Sequence, residues 1–174
     1  SHRLLHRGLR EFLQAQPSIR CLELGCGDAR ASQELLRDLP VDAFLGIDSS
    51  QGALDLARSR IQQSTWKFLE GDVRELPAIE SDWTVALASF CLHHLSATEK
   101  RRTLAQIARL SPLFLLVDLF REEGQSRADY LEGRRAWMRA EWTALSPEEL
   151  ALVMEHEQAA DFPETVADYR QWAA

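Results

Sequence analysis

A chain of 174 residues, 45% hydrophobic and 27% charged, is long enough to bury a substantial core as one domain. Its net charge of -7 at pH 7 argues against a nucleic-acid partner, because phosphate binding needs clustered Lys and Arg. No apolar run approaches the ~20 residues of a membrane span and no secretory signal opens the chain, so a cytoplasmic protein with no membrane partner is expected.

Ser1 is not an initiator, which suggests a trimmed start. His2 to Gln14 carries Leu5, Leu9, Phe12 and Leu13 at helical spacing and predicts an amphipathic helix that Pro17 ends. The apolar run Ile19 to Leu24 then stops at Gly25 and Gly27, and Ala31, Leu35, Leu36 and Leu39 recur on one helical face. That pattern is strand, tight turn, helix. The two glycines can take positive φ and lack a Cβ, so a ligand can approach the backbone while the first helical turn offers unpaired NH groups. Pro40 leads into a second strand around Ala43 to Ile47 that ends in Asp48, where a Rossmann-like fold holds the hydroxyls of a ribose. The next helix turns Leu54, Ala57 and Ile61 inward, with Ser49 or Ser50 as its N-cap. Strand three is Trp66 to Leu69, followed by Glu70-Gly71-Asp72-Val73. Strand four is Val85 to Phe90, a continuous apolar run of the kind that is buried on both faces. Ser96-Ala97-Thr98-Glu99 has the form of a capping box and opens a helix through Leu104, Ile107 and Ala108; Pro112 leads into strand five, Leu113 to Leu119.

Strands alternating with helices imply right-handed βαβ units and a parallel sheet, whose ligands bind at the carboxyl ends of the strands. Asp48 and Asp72 both follow strands, so both should lie on that rim. Beyond Arg121 charged residues dominate, interrupted by Tyr130, Leu131, Trp137, Met138 and Trp142 near helical spacing. Three readings compete for this aromatic helix, residues 125 to 142: a surface helix burying its stripe, a lid over substrate, or a homodimer contact. Ser146-Pro147-Glu148-Glu149 is a helix start with a Ser N-cap, Pro at N1 and Glu at N3; Asp161-Phe162-Pro163-Glu164 breaks that helix, and a short one runs toward Trp172.

Glu23-Leu24-Gly25-Cys26-Gly27 resembles the E-x-G-x-G first motif of class I S-adenosylmethionine (SAM) dependent methyltransferases. Gly71-Asp72-Val73 and Leu92-His93-His94-Leu95 fall where that superfamily places its later motifs, and the resemblance spans residues 19 to 121. It implies an α/β fold, a Rossmann-like doubly wound parallel sheet of strand order 3-2-1-4-5, with SAM as cofactor. On that resemblance Asp48 accepts both ribose hydroxyls with Ser49 beside it. Asp72 accepts the adenine amino hydrogens while the Val73 NH meets a ring nitrogen. Glu23 and the backbone of Gly25, Cys26 and Gly27 hold the methionyl end. Ser89, Phe90, His93 and His94 follow strand four beside the methyl group, and His94 is the candidate general base. In related enzymes a leading helix covers the cofactor, which makes Arg3, His6 and Arg7 candidates for the methionyl carboxylate. Plainer readings stand beside these: turn or N-cap aspartates for Asp48 and Asp72, a structural imidazole for His94, a solvated helix face for the three cations.

Ser89-Phe90-Cys91-Leu92 lacks the [DN]-P-P-[FY] pattern of enzymes that methylate adenine or glutamine amides, and the Leu-His-His-Leu form resembles the branch acting on small metabolites. A small-molecule methyl acceptor is therefore expected. A nicotinamide-dependent reductase is the weaker alternative, since Arg30 stands where the dinucleotide fingerprint wants a third glycine and no Tyr-x-x-x-Lys pair occurs. A catalytically silent SAM-binding subunit would carry identical cofactor motifs. Cys21, Cys26 and Cys91 form no CxxC pair and read as small buried residues, with Cys26 a candidate for reactivity because a helix N-terminus lowers a thiol pKa. No metal is expected: adjacent residues such as His93 and His94 tend to point apart.

The expected organisation is one methyltransferase domain, 1–174, with a cofactor-binding core over 1–121 and a helical lid or C-terminal helices over 122–174. The resemblance also implies a C-terminal antiparallel hairpin of strands six and seven beside strand five. Every apolar pattern from Glu122 onward is helical, so that hairpin is missing from the pattern. Strand five would then be an open edge, which suggests a C-terminally truncated chain or a second chain, such as a homodimer partner, covering it.

Overall fold

The structure, a computed structural model, describes residues 10–173. Most of the first predicted helix, with Arg3, His6 and Arg7, lies outside the described residues; residues 10–14 are helical. The elements that follow are β1 (Ile19–Leu24), α1 (Arg30–Leu35), β2 (Val41–Asp48), α2 (Gln51–Arg60), β3 (Trp66–Glu70), β4 (Val85–Ser89), a 3-10 turn (Leu92–His94), α3 (Ala97–Leu110), β5 (Phe114–Val117), α4 (Arg127–Glu141), α5 (Pro147–Ala160) and α6 (Val166–Ala173). They fall into two compact units: a sheet unit that ends at Ser89 and resumes over Arg102–Val117, and a helical unit of Phe90–Arg101 with the chain from Asp118 onward.

The sheet has the expected order, β3-β2-β1-β4-β5, and every pairing is parallel. Central strands of a parallel sheet are covered on both faces, and β1 and β4 are accordingly buried along almost their whole length. β3, at one end of the order, exposes Lys67, Leu69 and Glu70. Leu13, Ile19, Cys21, Leu35, Leu36, Phe44, Val85 and Leu87 form one core cluster, and the Phe44 ring stacks on Trp66 with centroids 4.0 Å apart. Fully burying an aliphatic or aromatic side chain of this size contributes about 1.5–3 kcal/mol, so this layer is what fixes the sheet.

Several boundaries differ from the sequence pattern, those of α1 and β5 by the most. The helix after the glycine turn stops at Leu35 instead of reaching Leu39, because Leu36 leaves helical geometry and Asp38 takes φ 62 ahead of Pro40. Leu36 and Leu39 still reach the core, from a turn instead of a helix. β5 is four residues long, shorter than Leu113 to Leu119. The Ser111 hydroxyl donates to the Leu113 carbonyl at one end, and the Asp118 carboxylate accepts from the Leu119 NH at the other; these local bonds compete with the ladder.

In the helical unit the predicted cap of α5 forms, Ser146 making both halves of a capping box with Glu149. Ser126, a cap the sequence pattern did not single out, accepts from Asp129 N at the start of α4. Leu131 and Met138 are the buried residues of α4, while Trp137 is exposed and packs edge-on to Trp142. The Arg134 guanidinium lies over both indoles and 3.2 Å from Glu157 of α5. Lys100 is wholly buried and donates to the Phe162 carbonyl; Arg121 pairs with Glu164 at 3.1 Å. Among the described residues the chain after β5 makes no further strand, only an isolated parallel bridge between Phe120 and Glu164. No described helix is long and apolar enough to cross a membrane.

Candidate active site

The glycine turn is held by backbone bonds to the strand beside it. Gly25 takes φ 66 and donates to the Ile47 carbonyl at 2.8 Å, and Cys26 N reaches the same oxygen at 3.1 Å. Gly27 takes φ 53 and donates to Asp48 Oδ2 at 2.7 Å; the other oxygen, Oδ1, accepts from Ser50 N at 2.8 Å. Asp48 therefore ties the turn to the start of α2, where Ser50 is the N-cap and Ser49 is exposed. A carboxylate offers about four lone-pair sites, so these two bonds leave acceptor capacity on both oxygens. A Cβ added at Gly27 would meet nothing within 4 Å, so open space adjoins this backbone.

Gly46 belongs to the site as well. It pairs with Glu23 in the β1–β2 register, and a Cβ there would lie 2.6 Å from Cys26 Sγ and 3.0 Å from Cys26 Cβ. The glycine in β2 is what lets the turn lie against the strand. Sequence reading passed over it; the available signal was a glycine inside a strand, which often marks a close backbone approach.

Glu23 is only 4% exposed and accepts from Ser32 Oγ of α1 at 2.5 Å. Burial, with the nearby Asp48 charge adding to it and the Ser32 bond opposing, raises its carboxyl to about 7. Burial followed by the Glu23 and Asp48 charges also pushes the Cys26 thiol far up. Cys26 is the small buried residue the sequence suggested, and its candidacy as an acidified, reactive thiol fails because a helix-end dipole cannot offset loss of solvent beside two carboxylates. Cys21 is buried and Cys91 half-buried, with no disulfide.

Asp72 lies just past β3 with both oxygens engaged by the Arg74 side chain, at 2.9, 2.8 and 2.5 Å, and by Arg74 N at 2.8 Å. The guanidinium holds this carboxyl below the usual carboxylate range. The Val73 carbonyl accepts from Thr103 Oγ1 at 3.1 Å, and Gln106 of α3 bonds Leu76 N and the Arg74 carbonyl, so α3 braces the segment. Ser89 closes β4, paired with Val117. Gly25–Gly27, Asp48 with Ser49, Asp72 with Val73, and Ser89 thus stand at or just past the carboxyl ends of four parallel strands, on one rim of the sheet unit.

Phe90 and His94 belong to the helical unit. Phe90 holds φ 53, a strained region for a bulky residue, with its side chain 41% exposed. The histidines depart from expectation: the 3-10 turn sets the His93 and His94 rings 4.0 Å apart instead of on opposite sides. His93 is buried with Nδ1 on Asp118 Oδ1, and its backbone N donates to Asp118 Oδ2 at 3.0 Å. His94 Nδ1 lies 3.3 Å from the Ala160 carbonyl and 3.3 Å from Asp161 Oδ1.

A parallel sheet of order 3-2-1-4-5, a glycine turn after its first strand and an acid at the end of its second define a class I SAM-dependent methyltransferase fold. The chain belongs to the methyltransferase-domain family, which it matches over residues 21–111, more than half its length. A demethylmenaquinone methyltransferase of Chlamydia caviae is 26% identical over 106 residues, covering 60% of this chain and 45% of that one. A malonyl-[acyl-carrier protein] O-methyltransferase of Priestia megaterium is 27% identical over 89 residues, covering 51% of this chain and 31% of that one. The chain thus spans less than half the length of these relatives. Among solved structures, the YcgJ protein of Bacillus subtilis superimposes with a TM-score of 0.71 over 98% of this chain and 66% of its own, at 17% identity, a likeness of fold.

Proposed function

We propose that this chain moves a methyl group from SAM to a small-molecule acceptor. The observation that carries the reading is Asp48, whose carboxylate ties the glycine turn to α2 through Gly27 N and Ser50 N and keeps acceptor capacity for two hydroxyls. The open space at Gly27 suits a ligand lying against the turn. On this reading Asp48 and Ser49 orient the ribose, and Glu23, Gly25, Cys26 and Gly27 hold the methionyl end. Asp72 and Val73 take the adenine edge, with Arg74 sharing its partner. Ser89 stands nearest the transferred carbon.

When bound, the cofactor supplies an activated methyl carbon; the protein supplies position and exclusion of water. A buried Glu23 with its carboxyl raised to about 7 fits that division, accepting hydrogen bonds while only partly charged beside Asp48 near neutral pH. The small-acceptor class rests on the absence of the [DN]-P-P-[FY] pattern at Ser89-Phe90-Cys91-Leu92, on the net charge of -7, and on the quinone named for the Chlamydia relative.

Calorimetry with SAM, its demethylated product and NAD, followed by turnover with phenol, quinone and carboxylic-acid acceptors, tests the proposal. SAM and its product bind and NAD does not. Tighter NAD binding would overturn the cofactor assignment, and turnover confined to protein or nucleic-acid acceptors would overturn the acceptor class.

A further inference from the structure

His93, His94 and Asp161 converge within the helical unit, and their ligand atoms all lie within 4.8 Å of one another. We propose that they bind one divalent transition-metal cation of the zinc type. Asp161 Oδ1 is 3.3 Å from His94 Nδ1 and 3.8 Å from His93 Nε2. A tetrahedral zinc ion with bonds of ~2.0–2.2 Å holds its ligand atoms ~3.3–3.6 Å apart, so a pair as far apart as 4.8 Å needs to close by roughly 1.2–1.5 Å. His94, with its side chain 44% exposed, has the room to do so.

Asp161 is 3% exposed and its Oδ1 has no hydrogen-bond partner. A buried carboxylate oxygen left in that state is costly, and such groups are paired or coordinate metals. The neighbouring cations turn elsewhere: Arg127 donates to the Asp161 and Gln158 carbonyls, and Lys100 to the Phe162 carbonyl. His93 sharpens the point. With its Nδ1 on Asp118, the ring turns Nε2 toward Asp161 Oδ1, and the tautomer that binds a metal carries its lone pair there. The two atoms stand 3.8 Å apart, too far for a direct hydrogen bond and wide enough to take a cation between them. A carboxylate behind the far nitrogen of a ligating histidine is the usual arrangement that sets the tautomer and raises basicity.

The chain places these groups firmly. Phe162 N donates to the His93 carbonyl at 2.6 Å, which pins the Asp161 segment to the 3-10 turn. Two imidazoles and one carboxylate suit zinc and its neighbours, and three protein ligands leave a position for water or a ligand. His94 is on this reading a ligand through Nδ1, which on binding gives up its contact with the Ala160 carbonyl while the ring proton sits on Nε2, and not a general base. His156 lies edge-on to His94 with centroids 5.8 Å apart and is outside the set.

The test uses the whole chain stripped with a chelator and titrated with Co2+, read by visible absorption, and with Zn2+, read by calorimetry and melting temperature. One equivalent binds, absorption appears, melting rises, and EDTA reverses both. Asp161→Asn, which keeps shape and removes charge, and His94→Ala each weaken binding by about 10-fold or more, and Asp118→Asn weakens it by ~10–100-fold. His156→Ala binds as wild type. Circular dichroism shows which variants fold, and the near-isosteric Asp161→Asn keeps the question answerable if His94→Ala does not. No saturable binding by the stripped wild-type chain, or equal Co2+ binding in wild type and folded Asp161→Asn, overturns the proposal. SAM titration of the stripped protein reports on the methyltransferase reading separately.

Discussion

Gly46→Ala adds one methyl group at the place where β2 meets the glycine turn. Its Cβ would sit 2.6 Å from Cys26 Sγ, 3.0 Å from Cys26 Cβ and 3.1 Å from Phe44 Cε1. A cysteine side chain is too short to swing clear, and its own backbone N is bonded to the Ile47 carbonyl at 3.1 Å, so the turn itself must shift. Overpacking of this kind costs about 1–3 kcal/mol, which for a chain of this size lowers the melting temperature by about 2–12 °C. The shift also moves Gly27 relative to Asp48, so SAM affinity falls together with stability. Thermal melting and calorimetry read the two effects. Cys26→Gly removes both close cysteine atoms, and in the double variant the cost of Gly46→Ala should shrink to the Phe44 contact alone, a coupling that a double-mutant cycle measures. Wild-type melting and affinity in Gly46→Ala, or strict additivity with Cys26→Gly, would refute the reasoning.

Asp48→Ala should weaken SAM binding by roughly 2–4 kcal/mol, because bonds to a charged acceptor are lost and Gly27 N loses its partner; unchanged affinity by calorimetry would remove Asp48 from the site. Glu23 gives a pH signature. Its folded carboxyl is raised from 4.5 to about 7, so the stability of the neutral form is fully present below about 4.5 and is lost as pH rises through about 7. Glu23→Gln, neutral throughout, should therefore gain on wild type by up to roughly 3 kcal/mol between pH 5 and pH 8, read by denaturant unfolding at each pH. A stability difference independent of pH would show that the buried carboxyl is not the cause.

By itself the sequence determined the features that short-range sterics and periodicity control. The apolar runs at β1 and β4, the paired glycines after β1, Asp48 at the end of β2 and the Ser146 capping box all act within a few residues, and the parallel order follows from alternating strands and helices. Even here boundaries moved where a side chain offered the backbone a local partner, as Ser111 and Asp118 do around β5. Tertiary structure decided everything that depends on what a residue meets from elsewhere in the chain. Gly46 matters only because the β1–β2 register sets it against Cys26. Glu23 becomes an acid that titrates at about 7, and Cys26 an inert thiol, only once solvent is gone and Asp48 is near. Asp72 shows its Arg74 clamp only when both side chains are placed. Asp161 reads in the sequence as no more than a helix breaker; in the fold it arrives, with an unmatched oxygen, at two histidines whose adjacency suggested that they point apart. Local conformation is written in neighbouring residues, whereas desolvation and pairing are set by distant parts of the chain and exist only after packing.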